Sequence, residues 1–499
     1  MRRWIPAVFF TALSQACGPV RASTAPRAAN RGVVKTLRTA IDSLTDAAEF
    51  SNGHWGILIV DPESGDTLYA RNAGKLFMPA SNMKILTTAT ALAQLGPDYR
   101  YRTALASEGA IRDGAIGNLL VIGRGDPSVS DHMMKDAMLP LRAMADSLYA
   151  RGVRRIDGRV LPLGDAFPGE NLGYGWSYDD FEDSYSAPVD ELLFNEGFSE
   201  LHVYAGAKAG DPVRVETRPA RTFPVVHVAA STVPRISTDT TRRPEAGLVA
   251  TKDSANWSVT LTGQLAAGDT AVIEVTHHDP DVAYIAALRE AIKDRGIAIE
   301  DATMESDPVG HPALDTLFAY QSPTLAEILP PLLKPSQNQI AEMLFRTIAL
   351  EKIGSGRPDS ARAIVGRQIA DWGANVPAEA VIRDGSGLSR YDYVSPRTLV
   401  KILDAMRKNS AFKVYYDALP IAGVDGTIRN RMKGTPAEGN VHAKTGTVAM
   451  ARSLSGYVTT ADGHMLIFSV LCNNYTVPTR EVERVQDAIG ARLAGMRLR

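Results

Sequence analysis

Cysteine is nearly missing from this chain: Cys17 and Cys472 are the only two in 499 residues. A disulfide-stapled scaffold is therefore excluded. Long apolar runs are missing as well. The stretch Trp4–Leu13 is too short to span a bilayer, and no later segment approaches the roughly 20 apolar residues a spanning helix needs. Basic excess is the third absence. The formal net charge is −2, with no basic block and no interleaved aromatic stripe, which argues against a nucleic-acid partner.

What is present is globular: 45% hydrophobic and 22% charged residues, over a length that suggests two to four domains with ample core. Residues 1–22 read as a secretory signal, with Arg2 and Arg3 ahead of the apolar run and a cleavage point after Ala22. "LSQAC" at Leu13–Cys17 resembles a lipoprotein signal, but Ser14 and Gln15 fit that pattern poorly. Cleavage removes three arginines and no acid, so the net charge falls from −2 to −5, and Cys472 is left alone. Inside "MLIFSVLCNN" it reads as a small buried hydrophobe. The expectation is an exported protein of the periplasm or cell envelope, without a transmembrane span.

The two ends share one character. "VVKTLRTAIDSLTDAAEF" has helical apolar spacing, and "HWGILIVDPESGDTLYARNA" predicts a hairpin around a turn-rich centre. Near the other end, "VHAKTGTVAMARSLSGYVTTADGHMLIFSVLCNN" predicts two or three antiparallel strands with an Asp-Gly turn, and Val482, Val485, Ile489 and Leu493 form a helical stripe. Together these predict an α/β (α+β) core of helices on an antiparallel sheet, over 33–100 and 316–499. The middle is a large β-rich inserted region, with one helix near 280–295. We divide it into one inserted domain, 101–190 with 262–315, and a second subdomain, 191–261, richer in threonine and proline.

Chemistry enters with "PASNMKILTTATALAQLG". Ser81 and Lys84 stand at i and i+3, on one face of a helix too apolar to be exposed. Two readings are open: a capping serine beside a snorkelling lysine, or a nucleophile beside its base. S-x-x-K alone decides nothing. Two further motifs lie in the same end domain: Ser336-Gln337-Asn338 ahead of an apolar helix, and Lys444-Thr445-Gly446 on a strand, followed by Thr447. The ordered set S-x-x-K, S-x-N, K-T-G is far rarer than any member.

The set fits acyl transfer. Ser81 needs a base, and a neutral amine one turn along supplies it if burial and a second cation, Lys444, lower the lysine pKa. Ser336 is suited to relay a proton to a leaving amine, and Asn338 to hold a substrate amide. Lys444 and Thr445 suit a substrate carboxylate, and Gly446 lets a substrate backbone approach the strand edge. The N–H groups of Ser81 and Thr447 suit an oxyanion hole.

These motifs resemble those of the class C low-molecular-mass penicillin-binding proteins, secreted D-Ala-D-Ala carboxypeptidases and endopeptidases of the cell wall. "GNLLVIGRGDPSVS", "GWSYDDFEDSYSAPV" and "FNEG" resemble landmarks of that family's inserted region. "DGSGLSRYDYVSP" and "LPIAGVDGTIRNRM" resemble its transpeptidase-like core. The 252 positions between Lys84 and Ser336 match the family's large insertion, which serine β-lactamases and single-domain carboxypeptidases lack. The chain departs from the family pattern at Gln337, where Asp is frequent. The resemblance implies a transpeptidase/β-lactamase-like core and a serine-type peptidase acting on peptidoglycan stem peptides through an acyl-enzyme. It further implies β-lactams as inhibitors, no cofactor and no metal, and the roles given above for Ser81, Lys84, Ser336, Asn338, Lys444 and Thr445. In this family the inserted domain reads the substrate's side-chain amine; Asp165 is the candidate acid, beside the plainer reading of a turn aspartate.

Several motifs are read as structural. "GRGDP" is a turn, His277, His278 and Asp279 lack a third spaced metal ligand, and "GSG" at 385–387 lacks the outer glycines of a hydrolase elbow. "ELLFN" at 191–195 almost matches the deacylating glutamate motif of β-lactamases but precedes Ser336 and reads as packing. The alternatives from other classes are a catalytically idle wall-binding scaffold on the same fold, and a β-lactamase or esterase using the same serine.

Overall fold

The computed structural model describes residues 29–220, 224–235, 244–253, 258–302 and 314–499. Residues 1–22, expected to be a secretory signal, and Cys17 within them lie outside the described residues. Helix α1 (Arg31–Thr45) starts where the Asn30 side chain accepts the N–H groups of Gly32 and Val33. A hairpin follows, strands β1 (His54–Val60) and β2 (Thr67–Arg71), then helix α2 (Met83–Leu95), which ends at Gly96 with φ of 83°. Helices α3 (Asn338–Ile353) and α4 (Pro396–Arg407), strands β3 (His442–Val448), β4 (Ala451–Thr459) and β5 (Met465–Asn473), and helix α5 (Thr479–Gly495) come from the far end of the chain.

The strands form one sheet in the order β3–β4–β5–β1–β2, antiparallel throughout. Strand periodicity sends Leu58, Tyr457, Ile467 and Leu471 to one face and Ile57, Ile59, Leu454, Val458 and Phe468 to the other. The first face packs on α2, α3 and α4; the second on α1 and α5, whose Val482, Val485, Ile489 and Leu493 are buried. Because both faces are covered, β5 is apolar almost without interruption. Cys472 is buried in it, and burial pushes its thiol up to about 12. Each fully buried aliphatic side chain of α2 contributes about 1.5–3 kcal/mol, and Ile85, Leu86 and Leu92 are all of this kind.

Strand Arg100–Glu108 carries the chain out of the core and pairs antiparallel with the returning strand Leu314–Thr324. Leu119–Ile122 and Val160–Pro162 extend that sheet, and helices Met138–Ala150 and Pro280–Asp294 share its apolar cluster. A second cluster joins Leu201 and Val203 to Val259, Leu261, Ala271 and Val275. It runs past residue 261 because Thr270–Thr276 pairs along its whole length with Phe198–Tyr204, a long-range ladder that threonine content does not signal.

Candidate active site

Ser81 lies on a short 3-10 turn, Ala80–Asn82, that leads into α2. No side chain caps α2. Ala80 holds a left-handed φ of 48°, costly for a residue with a Cβ, and the surroundings pin it. The Ser453 hydroxyl donates to Pro79 O at 2.7 Å, and Asn82 Nδ2 donates to Lys444 O at 2.8 Å, so the turn is tied to β3 and β4. Behind Ser81, residues Asn82 to Leu92 are buried; Ser81 alone of this stretch stays open to a cavity.

Lys84 is fully buried, with Nζ 2.9 Å from Ser81 Oγ, 2.6 Å from Asn338 Oδ1 and 2.8 Å from Ser386 O. The amide and carbonyl oxygens are obligate acceptors, and a neutral amine has two N–H groups and one lone pair. When the amine is neutral, the two carbonyl oxygens take both N–H groups, and the lone pair is left for the Ser81 hydroxyl, which can donate. Burial pulls the Lys84 pKa down to about 7, against the opposing pull of Asp384, Glu342 and Asp392. Lys444, also fully buried, donates to Ser336 Oγ at 2.8 Å and Thr445 O at 2.9 Å. Burial first, and then the Lys84 charge, hold it well below the usual lysine range.

These groups open on a cavity of about 590 Å³ lined by Ser81, Ser336, Asn338, Thr445, Gly446 and Thr447 from the sequence motifs. Thr427, whose hydroxyl is 2.7 Å from that of Thr445, is also in the wall, as are Arg390, Tyr185, Asp179 and Asp180. β3 is the edge strand here. The Ala443 N–H leaves the sheet to donate to Pro420 O at 3.0 Å. Alternation in an antiparallel ladder turns the N–H of Thr445 and Thr447 to that same open edge, facing the turn of Ser81.

Ser81, Lys84, Ser336, Asn338 and Lys444 thus meet at one cavity. The D-Ala-D-Ala carboxypeptidase 3 (S13) family matches residues 37–495. The chain belongs to that family. It is a serine-type D-Ala-D-Ala carboxypeptidase, a hydrolase. A D-alanyl-D-alanine carboxypeptidase of Actinomadura sp. (strain R39) is 34% identical over 472 residues, covering 92% of this chain and 84% of the relative. The DacB carboxypeptidase of Haemophilus influenzae is 26% identical, covering 81% and 82%. The crystal structure of penicillin-binding protein 4 from the same organism superimposes with a TM-score of 0.75 at 23% identity, over 91% of this chain and 99% of that one. The fold is thus the mixed α/β fold that the sequence predicted.

In this carboxypeptidase two residues are placed differently from expectation. Asp165 is exposed and does not line the cavity; the acids in its wall are Asp179 and Asp180. Sequence proximity to the inserted strands could not tell which of several turn aspartates points inward. Gly446 is also used differently. A Cβ there would overlap Pro79 O and Ser453 Oγ and approach Ser81 N to 3.0 Å, so the missing side chain makes room for the turn that carries Ser81.

Support beneath the site comes from residues that no motif marked. Glu342, one helical turn after Asn338, accepts the Gly385 and Ser386 N–H groups at 3.1 and 2.7 Å, fixing the carbonyl that holds Lys84. Its i, i+4 spacing from Asn338 was the available signal. Asp384 accepts from Gly387 N and Ser389 N, each at 2.7 Å. The "GSG" stretch is therefore the cradle of the Lys84 amine. Burial, with Asp384 nearby, raises the Glu342 pKa to about 7.

Gln337 now has a physical account. Its Oε1 accepts the Ile340 N–H at 3.1 Å as the N-cap of α3, while Nε2 donates to buried Glu196 at 2.6 Å. An aspartate could cap but would set a second carboxylate beside Glu196. We expect Gln337→Asp to cost about 1–3 kcal/mol of stability through an unpaired buried carboxylate oxygen. A melting temperature equal to that of the wild type would disprove this account.

Proposed function

We propose that Ser81 is the acylated nucleophile of this D-Ala-D-Ala carboxypeptidase and that its substrate is the stem peptide of peptidoglycan. What carries the reading is the hydrogen-bond arrangement at Lys84, which leaves a lone pair on the Ser81 hydroxyl. Ser81 Oγ attacks the carbonyl carbon of the penultimate D-alanine while its proton passes to Lys84 Nζ. The oxyanion is received by the N–H groups of Ser81 and Thr447, each worth about 3–4 kcal/mol at such a site. The C–N bond then breaks, and the leaving amine takes a proton through Ser336 Oγ, which the Lys444 ammonium orients. Water attacks the acyl-enzyme and restores Ser81.

Lys444, Thr445 and Arg390 suit the terminal carboxylate. An arriving carboxylate holds the proton on Lys444, and that charge lowers the proton affinity of Lys84 in turn, so binding prepares the base. Asp179 and Asp180 suit an ammonium group on the substrate side chain. Among the described residues no glutamate lines this cavity, which supports a penicilloyl-enzyme that persists. The 1–22 leader and the family's cell-wall chemistry support export to the periplasm or cell envelope; among the described residues no helix is long and apolar enough to cross a membrane.

The test compares wild type and Ser81→Ala with fluorescent penicillin and with a pentapeptide ending in D-Ala-D-Ala. Stable labelling and D-alanine release in the wild type, both lost in the variant, are expected. Labelling that survives in Ser81→Ala would move the nucleophile elsewhere, and rapid loss of label from the wild type would favour a β-lactamase.

A further inference from the structure

Exposed aromatic side chains are concentrated at one place on this molecule. Among the described residues, the large aromatics left exposed are four tyrosines: Tyr174 (65%), Tyr178 (91%), Tyr185 (45%) and Tyr391 (50%). One lines the cavity that holds Ser81, two adjoin its lining residues in sequence, and Tyr174 packs on one of these, Tyr391. Tyr185 lines the cavity, Tyr178 stands between its lining residues Ser177 and Asp179, and Tyr391 follows its lining residue Arg390. Single exposed apolar residues need no explanation; four exposed rings on two segments that meet beside one cavity do.

Tyr174 and Tyr391 pack on each other. Their ring centroids are 5.4 Å apart at 41°, a tilted and largely exposed pair, and the Arg383 guanidinium lies over the Tyr174 ring, 5.7 Å from its centroid. The pair is built into the fold. Gly175 has φ of 79°, and a Cβ there would overlap the Tyr391 ring, while a Cβ on Gly173 would overlap the Trp176 indole. The two glycines therefore let Trp176 fold under and Tyr174 stand out. Trp176 Nε1 donates to Asp384 at 3.0 Å, the Ser389 hydroxyl donates to Tyr174 O at 2.7 Å, and Arg390 N donates to Gly175 O at 3.1 Å. The turn is thus locked to the loop that cradles Lys84.

Behind this ridge lies a second cavity of about 410 Å³, with Tyr174, Trp176 and Phe345 in its wall. Four arginines and four carboxylates line it, so neither charge sign dominates. Arg357 and Arg383 are exposed in it and enter no ion pair among the described residues. Aromatic faces beside hydrogen-bonding groups of both signs suit a neutral, polyhydroxylated ligand with amide groups: a sugar ring stacks its C–H face on tyrosine, and its hydroxyl and acetamido groups bond to the charged side chains.

Resting on the peptidoglycan reading above, we propose that Tyr174, Tyr391 and the arginine-containing cavity behind them bind the saccharide that carries the stem peptide, holding the glycan while the peptide reaches Ser81. The enzyme then prefers glycan-linked to free peptide. The test uses the full chain and two substrates: a pentapeptide ending in D-Ala-D-Ala, and the same pentapeptide on an N-acetylglucosamine–N-acetylmuramic acid disaccharide. The wild type is expected to show a kcat/KM about tenfold higher on the disaccharide substrate, the weight of one well-packed aromatic contact. In Tyr174→Ala/Tyr391→Ala this ratio falls to about one while penicillin still acylates Ser81.

Equal kcat/KM on the two substrates in the wild type overturns the proposal, as does a parallel loss on both in the variant. Normal acylation with equal kcat/KM leaves the catalytic reading standing, whereas no acylation of the wild type fells both. If the double variant does not fold, Arg357→Ala and binding of the peptide-free disaccharide to Ser81→Ala, followed by NMR, decide the matter. An unchanged ratio in the former together with no binding to the latter overturns the proposal.

Discussion

Lys84→Met will slow acylation of Ser81 by penicillin about 10⁴-fold, the upper end of what a positioned general base supplies. Methionine keeps the volume in a site with no room to relax, so the Ser81 hydroxyl stays in place and loses only its proton acceptor. Nζ is hydrogen-bonded to that hydroxyl at 2.9 Å. The pH profile carries the second half of this prediction. A base must be neutral to act, and Lys84 has a pKa of about 7. Wild-type acylation therefore rises with pH through about 7, reaches a plateau above it, and falls about tenfold for each unit below. The residual rate of Lys84→Met should lack that inflection. Stopped-flow acylation across the pH range measures both. A variant that keeps the wild-type midpoint would show that another group takes the proton.

Gly446→Ala is the second large effect, and it separates two uses of one glycine. If Gly446 served only to admit substrate, the free enzyme would tolerate a methyl group and lose affinity alone. The structure sets the new Cβ against Pro79 O, Ser453 Oγ and Ser81 N. Either the Ala80–Asn82 turn or β3 must move. Overpacking of this sort costs about 1–3 kcal/mol, and displacing one oxyanion donor costs about 10²–10³ in rate. We expect a lower melting temperature without any ligand, together with acylation slowed by that factor. An unchanged melting temperature with only a raised KM would restore the substrate-clearance account. The neighbouring Thr447→Ala should be nearly silent, because the role given to Thr447 is that of its backbone N–H.

Much of the architecture was legible along the chain because its signals are local. The hairpin at 54–71, the Asp-Gly turn before β5 and the apolar stripe of α5 each depend on periodicity or turn chemistry within about 20 residues. The ordered motifs did more, since three short patterns of fixed chemistry have few physical reasons to coexist. The second inserted cluster was harder to bound. Its closing strand, Thr270–Thr276, pairs with residues some 70 positions earlier, and no composition change marks that register.

The site divides in the same way. That Ser81, Lys84, Ser336, Asn338 and Lys444 would come together could be expected, because their side-chain chemistry is scarce in apolar surroundings and the spacing within each motif is short. The partners that tune them could not. Ser386 contributes a backbone carbonyl, Gly446 an absence, and Glu342 a carboxylate whose work is to hold two N–H groups of a loop 43 and 44 residues away. Which aspartate faces the cavity, Asp179 rather than Asp165, is likewise a matter of how loops cross. Residue identity dictates what bonds an atom can make, and that was readable from the chain. Which atoms meet at 3 Å, and how dry the place is where a lysine gives up its charge, depends on packing between segments far apart in sequence, and that came from the fold.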